Sequence, residues 1–359
     1  RFVACLLLSL LAAACASRPE ATRPKHAHRP PTHIPPPARP VQKPVVPAKP
    51  GELSASLADM VKAIWVADPG RTGIAIMREG AEGSIQFRGT ELMPQQSVSK
   101  LWVAMTLLQQ VDEGRLRLED PVTITPADIT IWSRDMRSRL VDGEYRTTLG
   151  GLLELAMLKS DNTANDRLLR AVGGPSSVRA MISAKALGAI RFGPGEGLLQ
   201  SATAGIPWDE SYREGENFQK ARALLSLEAR KAAMDRYTAD PPDGAAPLAI
   251  ARALLRLKKG ELLSRASTNH LVNLMIRCET GKQRLKAGVP VGWTFGHKTG
   301  TGQDLSGRTA GYNDVSFMVT QDGATYAVVV LMADTMNPVP KRMETMQSIS
   351  RAVGAAHIP

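Results

Sequence analysis

Strand-like segments stand at both ends of the globular part of this chain, with helix-like segments between them, and that order restricts the fold more than any other feature. Near the front, residues 72–77 and 84–88 read as strands around the turn Glu79-Gly80. Near the back, residues 315–320 and 325–332 flank Asp322-Gly323, a strong hairpin signal. From Ser97 onward the period changes. Leu101, Ala104, Met105, Leu108 and Val111 recur at helical spacing, and Gly114 is placed to end that helix. Residues 53–66, 149–172, 245–259 and 267–277 also read as helices, and a final one sets Met343, Met346, Ile349 and Val353 on one face. A single sheet built from the strands of both ends, with terminal helices packed on it and an all-helical region inserted, satisfies this order.

The first fifty residues are of another kind. Arg1 and the apolar run through Ala14 have the charge and length of a signal peptide (residues 1–14), and the run is too short to cross a bilayer as a helix. Export to the periplasm is therefore expected. Leu11-Ala12-Ala13-Ala14-Cys15 resembles a lipobox, which would leave a lipid on Cys15 and anchor the protein to the outer membrane. Ordinary cleavage after Ala16 competes with that reading, because Leu11 sits one position further upstream than usual. Cys5 falls in the removed segment, Cys278 has at most Cys15 as a partner, and no disulfide framework is implied.

Residues 15–50 read as a Pro-rich basic linker, with eleven prolines between positions 18 and 50. His26, His28 and His33 in that tail read as solvated rather than as a metal tract. The net charge is +11, but residues 1–50 hold eight basic side chains against Glu20 alone, a net of +7, so the remainder carries only +4. Positive charge on a tail rather than a folded face argues against nucleic acid and suits an anionic membrane or cell-wall surface.

The chemistry is carried by three strings in one order: Ser97-Val98-Ser99-Lys100, Ser160-Asp161-Asn162 and Lys298-Thr299-Gly300. Ser97 and Lys100 are three apart at a helix start, so their side chains share a face. A serine hydroxyl attacks only when something takes its proton. The positive helix end and a second cation such as Lys298 would press Lys100 toward that role. Ser160-Asp161-Asn162 interrupts a helical pattern and suits a turn or helix N-cap. Lys298 follows a strand-like run, Trp293 through His297, and offers positive charge. Thr299 offers a hydroxyl, and Gly300 leaves room for a substrate against the backbone. Arg308 is either a second carboxylate contact or a solvated loop arginine. There is no Gly-x-Ser-x-Gly elbow, no His-Glu-x-x-His and no Cys-rich metal string, so neither metal nor cofactor is expected.

In order and content the three strings resemble the penicillin-recognising serine enzymes, and the Ser-Asp-Asn form points to the class A β-lactamase branch. The resemblance covers about residues 51–359. It implies an α/β plus all-α architecture: an antiparallel five-stranded sheet flanked by terminal helices (about 51–95 and 290–359), and an inserted helical domain (about 96–289). The active site would lie between the two. It further implies that Ser160 passes a proton to the leaving nitrogen, that Asn162 binds the substrate's acylamide carbonyl, and that Asp161 holds the turn. The backbone N–H groups of Ser97 and Thr301 would form the oxyanion hole.

Glu196, in Glu196-Gly197-Leu198-Leu199-Gln200, is similar in spacing and form to the class A Glu-x-x-Leu-Asn string, whose carboxylate activates the deacylating water. The competing reading is a loop carboxylate, because Gln200 replaces the usual Asn and residues 201–240 look like an insertion. That insertion, with Trp208, Tyr212 and Phe218, either covers the cleft or packs on the surface. Trp132 reads as a buried core residue, with a place on the cleft wall as the alternative. The expected activity is opening of the β-lactam ring by a monomer, with peptidoglycan as a further partner. A D-alanyl-D-alanine peptidase with slow deacylation and a non-catalytic cell-wall-binding lipoprotein are the alternatives.

Overall fold

The computed structural model describes residues 53–359. The expected signal peptide (1–14) and linker (15–50), Cys15 and the three tail histidines lie outside the described residues. Five antiparallel strands form the sheet: β1 (Arg71–Arg78), β2 (Ile85–Phe87), β3 (Thr294–Thr301), β4 (Tyr312–Val319) and β5 (Thr325–Asp334), in the order β2-β1-β5-β4-β3. The hairpin between β4 and β5 turns at Asp322-Gly323, where Gly323 takes a φ of +90° that its missing Cβ permits.

Strand β5 reads Thr-Tyr-Ala-Val-Val-Val-Leu-Met-Ala-Asp with hardly a polar interruption because both its faces are covered. Val328, Val330 and Met332 face a core shared with the terminal helices Ala55–Val66 and Val339–Ala356, through Leu57, Val61, Met346, Ile349 and Val353. Ala327, Val329 and Leu331 face the opposite core, shared with the helical region. The fold is therefore the expected α/β plus all-α arrangement.

The helix Lys100–Asp112 runs through the middle of that second core. Ten of its thirteen residues are buried, which is why its sequence is apolar on every side. Gly114, at φ +70°, follows its end. The helical pattern of 149–172 is broken where the chemistry lies. Helix Leu149–Glu154 widens into one π-turn, Leu155–Lys159; Ser160 then takes a left-handed φ of +61°, and Asp161 caps the next helix, Asn162–Ala171, by accepting from the Ala164 N–H at 2.8 Å.

Segment 201–240 finishes one helix (Glu196–Ala204) and adds two more, Asn217–Ala223 and Leu227–Ala239. Phe218 is buried beside Ile131, and Arg213 donates to the Ile129 carbonyl at 2.7 Å, so the segment is fastened to the 129–133 loop. Trp132 corrects the core expectation: it is 47% exposed, sits at φ +57° and meets Phe218 edge-on at 5.5 Å. A bulky residue in the left-handed region is uncommon, and the turn it belongs to keeps Trp132 out of the core.

Candidate active site

Ser97 sits on a 3₁₀ turn, Gln96–Ser99, that leads into the buried helix. The residue before it, Gln96, has a φ of +53°, a strained state that a glutamine keeps only when its surroundings hold it. They do. The Gln96 N–H donates to Asp243 Oδ2 at 2.7 Å, Gln96 Nε2 donates to the Tyr237 hydroxyl at 2.6 Å, and Gln200 Nε2 donates to Gln96 Oε1 at 2.8 Å. Asn313 Nδ2 donates to the carbonyls of Pro94 and Gln95. Burial pushes the Asp243 carboxyl up to about 6, against the hydrogen bonds from Gln96 and Tyr237. The end of the 201–240 segment thus supports the turn that presents Ser97.

The Lys100 ammonium is buried and lies at the centre of three groups. It donates to Ser97 Oγ at 2.9 Å, to Asn162 Oδ1 at 3.0 Å and to the Glu196 carboxylate. The expected second cation, Lys298, has partners of its own: it donates to Ser160 Oγ at 2.9 Å and to the Thr299 carbonyl at 3.0 Å. Each lysine therefore holds one serine, and Lys100 has Glu196 as a direct counter-charge that sequence alone did not place there. Burial, with the nearby positive charge of Lys100, brings the Lys298 ammonium down to about 7, although the Cys278 and Glu196 charges oppose the fall.

A second carboxylate, the partly buried Asp166, was missed in the sequence. It follows Asn162 by four residues, hence on the same helix face, and its Oδ1 accepts the Glu196 N–H at 3.0 Å. Burial first, and the Glu196 charge second, push it up to about 6 from 3.8. Asp166 thus binds its proton more tightly folded than unfolded. Its ionisation is destabilising above about pH 6, and that cost disappears as the pH falls toward about 4. Asp166→Asn keeps an oxygen for the Glu196 N–H and removes the charge. We expect it to raise stability by about 2 kcal/mol at neutral pH and not at all near pH 4, as read by thermal unfolding at both. Loss of stability at neutral pH would mean that the ionised carboxylate is needed to hold Glu196.

The third string forms the opposite wall. A Cβ on Gly300 would lie 2.3 Å from the Gln95 carbonyl oxygen, so the glycine makes room for the protein's own Ser97 turn. The Thr299 hydroxyl meets that of Thr280 at 2.6 Å. Thr301 ends β3, exposed, and its hydroxyl accepts from Arg284 Nη2 at 2.5 Å. Arg308 is a correction. Its guanidinium is bound in a fork by Asp334, at 2.7 Å from each donor, and also pairs with Asp235, so it is neither solvated nor free for a substrate. Another buried cation on this wall is Arg284, which donates to the carbonyls of Gly300 (2.9 Å) and Asn313 (2.6 Å) and lies 3.8 Å from the Tyr312 ring centroid. No local signal in the sequence marks it.

A half-buried hydroxyl on a strained turn, an ammonium on that hydroxyl, a carboxylate on the ammonium and a second serine–lysine pair opposite make up the equipment of a serine acyl-transfer enzyme. The chain belongs to the beta-lactamase enzyme family, whose sequence model matches residues 55–356. A beta-lactamase of Citrobacter koseri is 29% identical over 284 residues, covering 79% of this chain and 82% of its own. The extended-spectrum beta-lactamase PER-1 of Pseudomonas aeruginosa is 26% identical over 79% of this chain and 81% of its own. Among solved structures, a beta-lactamase from Chitinophaga pinensis superimposes with a TM-score of 0.68 at 26% identity, over 84% of this chain and 99% of that one.

Proposed function

We propose that this protein hydrolyses the β-lactam ring of penicillin- and cephalosporin-type antibiotics through an acyl-Ser97 intermediate, and so confers resistance to them. The observation that carries the proposal is the Lys100 ammonium bridging Ser97, Asn162 and Glu196 in one buried cluster. The Ser97 proton leaves toward the Lys100–Glu196 pair as Oγ bonds to the ring carbonyl carbon. The N–H groups of Ser97 and Thr301 receive the developing oxyanion. The carbon–nitrogen bond then breaks, and the nitrogen takes its proton from Ser160, which recovers one from the Lys298 ammonium that donates to it. The proton held by the Lys100–Glu196 pair passes back to Lys298, so that Glu196 is again unprotonated when water enters.

Lys298, Thr299 and Arg284 supply the positive charge and hydroxyl for the substrate's carboxylate, and Asn162 the amide for its acylamide carbonyl. Glu196 removes a proton from the water that cleaves the ester. Among the described residues no group of His, Cys, Asp and Glu side chains is arranged to hold a metal ion.

The test is a time course of the purified protein with a chromogenic cephalosporin, run beside intact-mass detection of the acyl adduct. Sustained turnover is expected. A single stoichiometric burst with a long-lived adduct would mean a peptidase-like enzyme with slow deacylation, and no adduct would remove the catalytic reading.

A further inference from the structure

Behind β3 lies a group of side chains that the mechanism above leaves unused. Cys278 is buried, and its sulfur stands 3.4 Å from the Thr280 hydroxyl, which in turn stands 2.6 Å from the Thr299 hydroxyl. In both contacts either atom can be the donor. Near the thiol is His297, whose Nδ1 meets Asp314 Oδ1 at 2.9 Å and whose Nε2 is buried with no hydrogen-bond partner. The charged groups around Cys278 are His297 and Lys298 on β3, with Asp314 on β4 behind the imidazole. Glu279, next in the chain, is paired with Lys159.

We propose that Cys278, Thr280 and Thr299 form a hydrogen-bond relay whose direction is set by the proton on Cys278, and that this direction decides whether Thr299 can donate to the substrate's carboxylate. The inference rests on the β-lactam reading above and assigns Cys278 and Thr280 as positioning residues of that site.

Burial works against charge on His297, but Asp314 first, and Cys278 after it, outweigh burial and hold the imidazole protonated up to about 9. Such a ring only donates, so a Cys278 S–H has the Thr280 oxygen as its acceptor. Thr280 has one proton and gives it to Thr299, and the Thr299 proton is then left for the ligand. When Cys278 loses its proton to solvent, the sulfur accepts from Thr280, the one hydroxyl within its reach. The Thr280 oxygen must now accept from Thr299, and the carboxylate loses that donor. Burial raises the thiol, but His297 and the Lys298 charge outweigh it and bring Cys278 to about 7, so both directions are reached under ordinary conditions.

Lys298 loses its charge in the same range, so the test must separate the two titrations. Thr280→Val leaves Cys278, His297 and Lys298 in place and cuts the relay, so that Thr299 keeps its donor at every pH. With a carboxylate-bearing penicillin, the ratio of kcat/KM in the wild type to that in Thr280→Val is expected to fall about tenfold from about pH 6 to about pH 8.5, the loss of one charge-assisted hydrogen bond. Thr280→Ser restores the hydroxyl and should restore the wild-type profile. A ratio that does not change with pH, or a Thr280→Ser profile like that of Thr280→Val, would overturn the relay. Absence of β-lactam turnover by the wild type at every pH is a different result, and would remove the functional reading on which the relay rests.

Discussion

Ser97→Ala is expected to abolish covalent labelling by a fluorescent penicillin and to lower kcat by about 10⁶, while leaving the fold intact. The size follows from how such sites work: residues that act as one unit cannot substitute for each other, and removing the nucleophile alone costs nearly the whole covalent advantage. The intact fold follows from the packing. Ser97 is only partly buried, and the strained turn before it is held by Asp243, Tyr237, Gln200 and Asn313, none of which bonds to the Ser97 side chain.

Thermal unfolding of Ser97→Ala should therefore stay within about 1 kcal/mol of the wild type. Lys100 would be a poorer first choice, since its removal strands the Glu196 carboxylate in a buried site and confuses loss of chemistry with loss of stability. Labelling that persists in Ser97→Ala would show that another side chain is the nucleophile.

What the sequence made legible was local. The all-apolar run of β5, the Asp322-Gly323 turn, Gly114 after its helix and the three strings each depend on residues within a few positions of one another. The physics that shapes them, strand alternation, helix periodicity and left-handed glycine, acts over that distance. What stayed hidden depends on partners far apart in the chain. Arg308 and Arg284 look alike in one dimension. Only the fold brings Asp334 and Asp235 to the first, and the carbonyls of Gly300 and Asn313 to the second. Trp132 has the composition of a core residue, and a left-handed turn keeps it half exposed. The support of the Ser97 turn by Tyr237 joins side chains 141 positions apart, through a segment that reads as an insertion.

Replacing Glu196 with glutamine is expected to separate the two halves of the reaction. Glutamine has nearly the same shape and keeps an oxygen for the Lys100 ammonium, so the cluster that positions Ser97 survives in outline. It cannot accept a proton from water, and a positioned general base contributes about 10² to 10⁴ in rate, so deacylation should slow by that factor. The variant leaves Lys100 without its direct counter-charge, which costs stability, and a neighbouring carboxylate offsets part of that cost. Glu196 is one of the causes that raise Asp166, and without it Asp166 ionises more readily and supplies negative charge near Lys100.

Acylation should therefore continue, more slowly than in the wild type, and a β-lactam adduct on Ser97 should accumulate to nearly one per molecule by intact mass. If Glu196→Gln instead turns over steadily, another group activates the water. If it forms no adduct at all, the Glu196 carboxylate is indispensable to the Lys100–Glu196 pair that receives the Ser97 proton, and Lys100 with a neutral partner cannot take its place.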